Sequence, residues 1–180
     1  MKEIMEWVKD ILLAVVIAAV ILAFFKPIIV QQQSMEPNFH AGDYLITSRQ
    51  AYRLFGDPQR GDVIVFKSEL LDENEKPKNL IKRIIALPGE TIEIRGGEVY
   101  IDGQMLQEDY LPGEAISGEM DAVTVPEGQL FVMGDNRECS EDIRSPRVGT
   151  IEQSTIVGKV IVRLYPFNTI KTFKGVDYES

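Results

Sequence analysis

The fold class of this chain is indicated by one stretch, Thr91-Ile92-Glu93-Ile94-Arg95-Gly96-Gly97-Glu98-Val99-Tyr100-Ile101. Apolar and polar residues alternate on both sides of the Gly-Gly pair, and this period of two is that of a half-buried β-strand. Two alternating runs around a Gly-Gly pair predict a β-hairpin with a tight turn. Asp102-Gly103 follows at once and predicts a second tight turn.

Short apolar runs of the same kind continue along the chain between glycine and proline residues. They are Ile28–Val30, Tyr44–Ile46, Val63–Phe66, Leu80–Leu87, Leu130–Met133 and Ile156–Leu164. Residues 68–79 and about 103–122 are polar and are predicted to be loops or an excursion from the main sheet. The sequence therefore predicts a mainly β, mostly antiparallel domain over residues 27–180, with a small β excursion at about 95–122.

The N-terminal region has a different pattern, because every residue from Ile11 to Phe25 is apolar. A helix over this stretch is roughly 22 Å long, and Trp7-Val8 extends it toward the ~30 Å hydrocarbon core of a bilayer. Lys9 and Lys26 flank the stretch and can reach the headgroups, and Pro27 is predicted to end the helix.

Three interpretations of this helix compete. A cleaved signal peptide has such a short core, but the required small-x-small cleavage site does not follow it. A helix that is apolar all round and buried in a core needs a larger protein to cover it. We therefore expect a single uncleaved membrane anchor at residues 10–26, after a cytoplasmic segment 1–9. Lys2 and Lys9 before the span favour this orientation only slightly over the reverse.

Composition excludes several classes of function. The 180 residues include 19 basic and 28 acidic side chains, giving a net charge of −9, which argues against a nucleic-acid partner. The single cysteine, Cys139, cannot form an internal disulfide. Cys139 and the single histidine, His40, supply too few ligands for zinc. The sequence predicts neither a metal site nor a cofactor.

Ser34 and Lys82 are the candidate catalytic pair. A serine hydroxyl attacks an amide only when a base takes its proton, and His40 lies in what is predicted to be a turn. In a strand, Lys82 shares a face with Leu80, Ile84 and Ala86, and removal of an amine from water favours its uncharged form. The alternatives are an edge-strand lysine that prevents aggregation and a serine in a simple turn.

A third segment, Met133 to Arg144, places a hydroxyl, a carboxylate and a guanidinium after the turn signal Gly134-Asp135-Asn136. In it, Ser140 could hold the Lys82 amine while Asp142 pairs with Arg144. A polar turn with a surface ion pair has the same pattern and contributes little to stability.

Together these segments resemble the bacterial type I signal (leader) peptidases. The matching segments, in chain order, are the apolar anchor, Ser34-Met35-Glu36-Pro37, Gly42-Asp43, Lys82-Arg83 with Pro88-Gly89-Glu90, and Gly134 to Arg137 continued by Ser140 to Arg144. The resemblance implies a serine endopeptidase with a mostly β catalytic domain on the outer face of the bacterial cytoplasmic membrane. It implies that the substrates are secretory preproteins with small residues at the first and third positions before the cut.

The resemblance also implies roles for individual residues. Ser34 is expected to be the nucleophile and Lys82 the general base. The support residues are expected to be Arg83, Asp135, Ser140, Asp142 and Arg144, and the apolar substrate pocket is expected to include Val30, Met35, Phe39 and Ile81. Three positions depart from the family pattern. Asn38 follows Pro37 where threonine is common, Ile143 stands where serine is usual, and Gln32 stands where some members have a hydroxyl that assists the oxyanion.

Two other functions remain open at this point. A non-catalytic, membrane-tethered β-module that binds exported peptides has the same anchor and strands, but it does not need Ser34, Lys82 and Ser140 together. A self-cleaving Ser/Lys protease of the phage-repressor type lacks an anchor, so the apolar N-terminal helix argues against it.

Overall fold

The computed structural model describes residues 2–54, 56–111, 113, 116, 118–137 and 149–173, except the side chains of residues 2 and 3. Within these residues the chain forms a long helix, α1 (Lys2–Phe24), a single-turn helix, α2 (Ala51–Leu54), and two antiparallel sheets. Short 3₁₀ turns lie at Gln153–Thr155 and Phe167–Thr169. The predicted fold class, mainly antiparallel β after an apolar N-terminal helix, is confirmed.

Helix α1 is apolar and exposed along its length. Its segment Ile4–Phe24 has a mean hydropathy of 2.4, and none of its most apolar window is buried in the protein. The segment is long enough to cross a bilayer. The helix ends at Phe24, so the prediction that Pro27 ends it is wrong. Pro27 lies inside strand β1 (Phe25–Ile29) at the edge of the large sheet, where its missing N–H costs no ladder hydrogen bond.

The large sheet contains most of the predicted strands. Its order in space is β1, β2 (Tyr44–Ser48), β11 (Ile156–Tyr165), β3 (Val63–Leu71), β4 (Pro77–Ala86), β9 (Gln129–Met133) and β10 (Thr150–Glu152), with β12 (Lys171–Thr172) paired to β11. Every paired neighbour is antiparallel. Strands β3 and β4 extend into 68–79, which was predicted to be a loop or an excursion from the main sheet. The extension was missed because its residues are mostly exposed and polar.

The small sheet is built on the quoted hairpin. Its order is β7 (Gln104–Met105), β6 (Glu98–Ile101), β5 (Thr91–Arg95) and β8 (Met120–Thr124). Gly96 and Gly97 both have positive φ, 60° and 83°, as a tight hairpin turn requires. Strands β7 and β8 lie within the segment predicted to be a loop or an excursion.

Alternate residues of β3 and β4 are buried on opposite faces of the large sheet. One face carries what we call the loop-side core: Val30, Met35, Phe39, Leu45, Val63, Val65, Ile81 and Val160. The other carries the far-side core: Ile64, Phe66, Leu80, Ile84, Leu130, Val132 and Ile151. A third cluster joins the end of β4 to the small sheet through Ile85, Ile92 and Ile94. Strand β4 thus contributes to all three cores.

Candidate active site

Ser34 lies in the loop of residues 31–41 that joins β1 to β2, here called the Ser34 loop. Its base is closed by two backbone hydrogen bonds, from Val30 N–H to the Asp43 carbonyl (3.0 Å) and from Gly42 N–H to the Val30 carbonyl (2.8 Å). Met35 and Phe39 are fully buried in the loop-side core. These two side chains fix the loop against the large sheet.

The Ser34 hydroxyl is buried, and within the described part of the chain Oγ has no hydrogen-bond partner. Leaving a buried hydroxyl unpaired costs about 1–3 kcal/mol, so such groups are few in folded proteins and call for an explanation. A hydroxyl held dry and unpaired keeps its lone pairs available for a substrate.

Lys82 is 2% exposed, although it is a lysine on a strand. Its neighbours on the same face of β4, Leu80 and Ile84, belong to the far-side core. Its cross-strand partner in β3, Ile64, belongs to the same core. Full burial of a lysine is rare, so this position points to a function for the amine.

The Ser34 loop is hydrogen-bonded to the turn that follows β9, and β9 is the neighbour of β4 in the large sheet. The described pairing between β4 and β9 begins at Arg83 and Met133. Lys82 lies one residue before this pairing begins. Strand β9 ends at Met133, and three residues later the Asn136 N–H donates to the Ser34 carbonyl at 3.1 Å. The Asn136 side chain donates to the Gln33 carbonyl at 3.2 Å. The turn after β9 therefore holds the Ser34 backbone next to the end of the described β4–β9 ladder.

A buried ion pair lies next to this contact. Arg83 donates from Nε and Nη2 to the two carboxylate oxygens of Asp135, at 2.8 and 2.6 Å, and both side chains are excluded from water. Arg83 also donates to the Gly61 carbonyl at 2.9 Å, and its guanidinium lies 3.9 Å from the centre of the Tyr110 ring. The Asn38 amide donates to Asp135 at 2.9 Å. The two predicted support residues, Arg83 and Asp135, thus form one unit with the Ser34 loop.

The remaining predicted site residues fall into three groups. Gln32 is exposed. The four residues predicted to form the substrate pocket, Val30, Met35, Phe39 and Ile81, all lie in the loop-side core. Ser140, Asp142 and Arg144 lie outside the described residues, as do Ile143 and Cys139, so their roles stay predictions. The described residues contain no group of three or more His, Cys, Asp or Glu side chains that could hold a metal ion.

Four further residues join the site, and the sequence argument missed them: Asn38, Glu108, Tyr110 and Arg137. Arg137 donates to both carboxylate oxygens of Glu108, at 2.8 and 2.5 Å. Burial acts to lower the pKa of Arg137, but the hydrogen bonds and charge of Glu108 outweigh it, so the pKa is raised and the guanidinium stays charged. The Asn38 amide also donates to the Tyr110 carbonyl at 2.9 Å. One signal was present for Asn38, since it is a position where this chain departs from the family pattern.

This chain is similar to several known proteins. The family model described as "Signal peptidase, peptidase S26" matches residues 4–165. Signal peptidase I of Bacillus licheniformis is 37% identical, with 94% of this chain and 93% of that protein covered. A probable signal peptidase I-1 of Synechocystis sp. is 42% identical, with 89% and 84% covered. The crystal structure of a signal peptidase I from Enterococcus faecalis is 36% identical and superposes with a TM-score of 0.46, covering 57% of this chain and 96% of that one.

Proposed function

The chain belongs to the signal peptidase (peptidase S26) family of serine endopeptidases, and on that premise we propose that it cleaves signal peptides from secretory preproteins with Ser34 as nucleophile and Lys82 as general base. The observation that carries the proposal is the buried Ser34 hydroxyl, which has no partner among the described residues, in a loop hydrogen-bonded to the turn after β9, the neighbour of the strand that carries a buried Lys82.

The mechanism uses these two side chains, the donors that hold the oxyanion, and a water. The Lys82 amine takes the Ser34 proton while Oγ attacks the scissile carbonyl. The protonated amine then gives this proton to the departing amine of the mature protein, which leaves an acyl-enzyme. A water molecule repeats the sequence: Lys82 takes its proton, the ester breaks, and the proton returns to Ser34.

The oxyanion of the tetrahedral intermediate needs donors on the other side of the carbonyl. The Ser34 N–H is the proposed first donor, and loss of one such donor typically costs about 3 kcal/mol of barrier. Gln32 lies two residues before Ser34, and we assign its side-chain amide as the second donor. The turn after β9 supports this geometry, since Asn136 binds the backbone carbonyls of both Gln33 and Ser34.

A preference for small residues at the first and third positions before the cut follows from the packing beside Ser34. Val30, Met35, Phe39 and Ile81 are 3%, 0%, 0% and 8% exposed, so the loop-side core that holds the Ser34 loop leaves little room for a substrate side chain. Larger side chains would have to displace these core residues, at a typical cost of about 1–3 kcal/mol.

We further propose that α1 anchors the enzyme by a single span in the bacterial cytoplasmic membrane, with the peptidase domain on the extracytoplasmic side. The helix runs into β1 without an intervening loop, so the catalytic domain begins at the membrane surface. A preprotein held in the same bilayer is then at a high effective concentration relative to Ser34.

The test is cleavage of a preprotein by the purified full-length chain, with N-terminal sequencing of the product. Ser34→Ala and Lys82→Met should each abolish cleavage while the protein stays folded and membrane-bound. Asn79→Ala, on the exposed part of β4, serves as the control and should cleave normally. A folded Ser34→Ala or Lys82→Met protein that still cuts at the same bond would remove that residue from the mechanism.

A further inference from the structure

The turn after β9, residues 134–137, determines where the Ser34 backbone lies. Its Asn136 provides the hydrogen bonds to the Ser34 and Gln33 carbonyls, at 3.1 and 3.2 Å. Its Asp135 binds Asn38, in the same loop, at 2.9 Å. A shift of this turn would therefore move the nucleophile.

Arg137 stabilises the turn through a hydrogen bond within it. Its Nε donates to the Gly134 carbonyl at 3.0 Å, which closes the turn on itself, and its side chain is 1% exposed. A buried guanidinium needs an opposite charge and accepting oxygens, because an isolated charge in a protein interior is costly.

Glu108 supplies that charge from a different part of the fold. Its two carboxylate oxygens accept from Nη1 and Nη2 of Arg137, at 2.8 and 2.5 Å, and the Tyr110 hydroxyl donates to the same carboxylate. The segment that carries Glu108 is attached to the small sheet through Leu106, whose N–H donates to the Val99 carbonyl at 2.8 Å. Two residues after Glu108, the Tyr110 carbonyl accepts from Asn38 at 2.9 Å.

We infer that Glu108 is a positioning residue for catalysis: through Arg137 it fixes the turn 134–137, and through that turn it fixes the Ser34 backbone. The small sheet then contributes to catalysis, because the segment attached to it carries the carboxylate that positions the nucleophile. This inference rests on the proposed role of Ser34 and goes beyond it, since Glu108 touches neither substrate nor reacting atoms.

The test is Glu108→Gln in the full-length protein, which keeps the side chain's size and removes its charge. We expect kcat to fall by about 10- to 100-fold, because small displacements of a catalytic group have effects of this size. KM should change by less than about 3-fold, because the substrate-binding surface is untouched. The matched control is Glu90→Gln, which breaks the Arg60–Glu90 ion pair of 2.7 Å without touching the turn 134–137. It should leave kcat unchanged.

A second variant separates positioning from folding. In Glu108→Leu with Arg137→Met, apolar side chains replace the buried ion pair, and such replacements often restore stability. The turn still lacks the hydrogen bond from Arg137 to the Gly134 carbonyl, so kcat should stay low although the melting temperature recovers.

The inference is overturned if folded Glu108→Gln has the wild-type kcat, or if kcat recovers together with stability in the double variant. If Glu108→Gln does not fold, the double variant alone decides. Ser34→Ala, assayed in parallel, distinguishes a failure of the proposed function from a failure of this inference. Retained cleavage by Ser34→Ala overturns the proposed function and this inference with it, whereas an inactive Ser34→Ala beside a fully active Glu108→Gln overturns this inference alone.

Discussion

Replacement of Asp135 by asparagine should destabilise the protein strongly, although the side chain changes by a single group. Asp135 is 0% exposed and accepts two hydrogen bonds from Arg83, which is itself 5% exposed, and a third from Asn38. Asp135→Asn removes the Asp135 charge that faces the buried guanidinium, a change that typically costs about 3–5 kcal/mol. Arg83 keeps its bond to the Gly61 carbonyl and its contact with the Tyr110 ring, which favours the lower end of that range.

The assay is unfolding of the full-length protein in detergent, followed by far-ultraviolet circular dichroism with heat and with denaturant. For a domain of this size the loss corresponds to a melting temperature lower by roughly 6–20 °C. Glu90→Gln is the control, because its ion pair with Arg60 is partly exposed, with side chains 21% and 18% accessible, and should contribute about 1 kcal/mol. An Asp135→Asn protein within about 1 kcal/mol of the wild type would refute the argument that this pair is a buried charge pair in need of both partners.

Two further predictions concern other regions. Burial, followed by the charge of Asp62 and its hydrogen bond, raises the pKa of Tyr52 above its ordinary value. The stability from this shift is present below about pH 10 and is lost above it at about 1.4 kcal/mol per pH unit. Denaturant titrations at several pH values would measure how the free energy of unfolding falls with pH above about pH 10. Tyr52→Phe should make this fall less steep, and an unchanged steepness would contradict the assignment to Tyr52. Arginine at both Val16 and Val20, near the middle of α1, should cost about 5–7 kcal/mol of membrane insertion. The protein should therefore leave the membrane fraction, and its full retention there would count against the anchor.

Strands with a local pattern were predictable from the sequence. The hairpin around Gly96-Gly97 carries a period of two within a few residues, and the strand of Lys82 is a short apolar run. Strand geometry gave the correct face for Leu80 and Ile84, but not for Ala86, which follows a register shift and lies in the third cluster. Strand β8 was not predictable, because four of its five residues are exposed and no apolar face is visible in its sequence. The end of α1 was misplaced because proline is tolerated in an edge strand as well as after a helix.

The candidate site was predictable only where the family resemblance named its residues. The contacts that tie it together join residues far apart in the sequence. Asn38 and Asp135 are 97 positions apart, and Glu108 and Arg137 are 29 apart. No local pattern in a single sequence encodes such a pair, because each partner taken alone resembles an ordinary surface residue. Arg137 in particular follows a turn signal and would be taken as exposed, yet its side chain is 1% accessible.

The most direct test of the whole account asks whether catalysis depends on an amine at position 82. Lys82→Cys, in a protein that also carries Cys139→Ser, offers a single thiol that 2-bromoethylamine converts into a lysine analogue with sulfur in place of one methylene. Alkylation in denaturant, refolding into detergent and intact mass would establish the modification. The account predicts that the unmodified variant is slower in preprotein cleavage by about 10²–10⁴-fold and that the aminoethylated protein regains most of the rate. Fast cleavage by the unmodified variant, or no recovery in a folded and fully modified one, would contradict it.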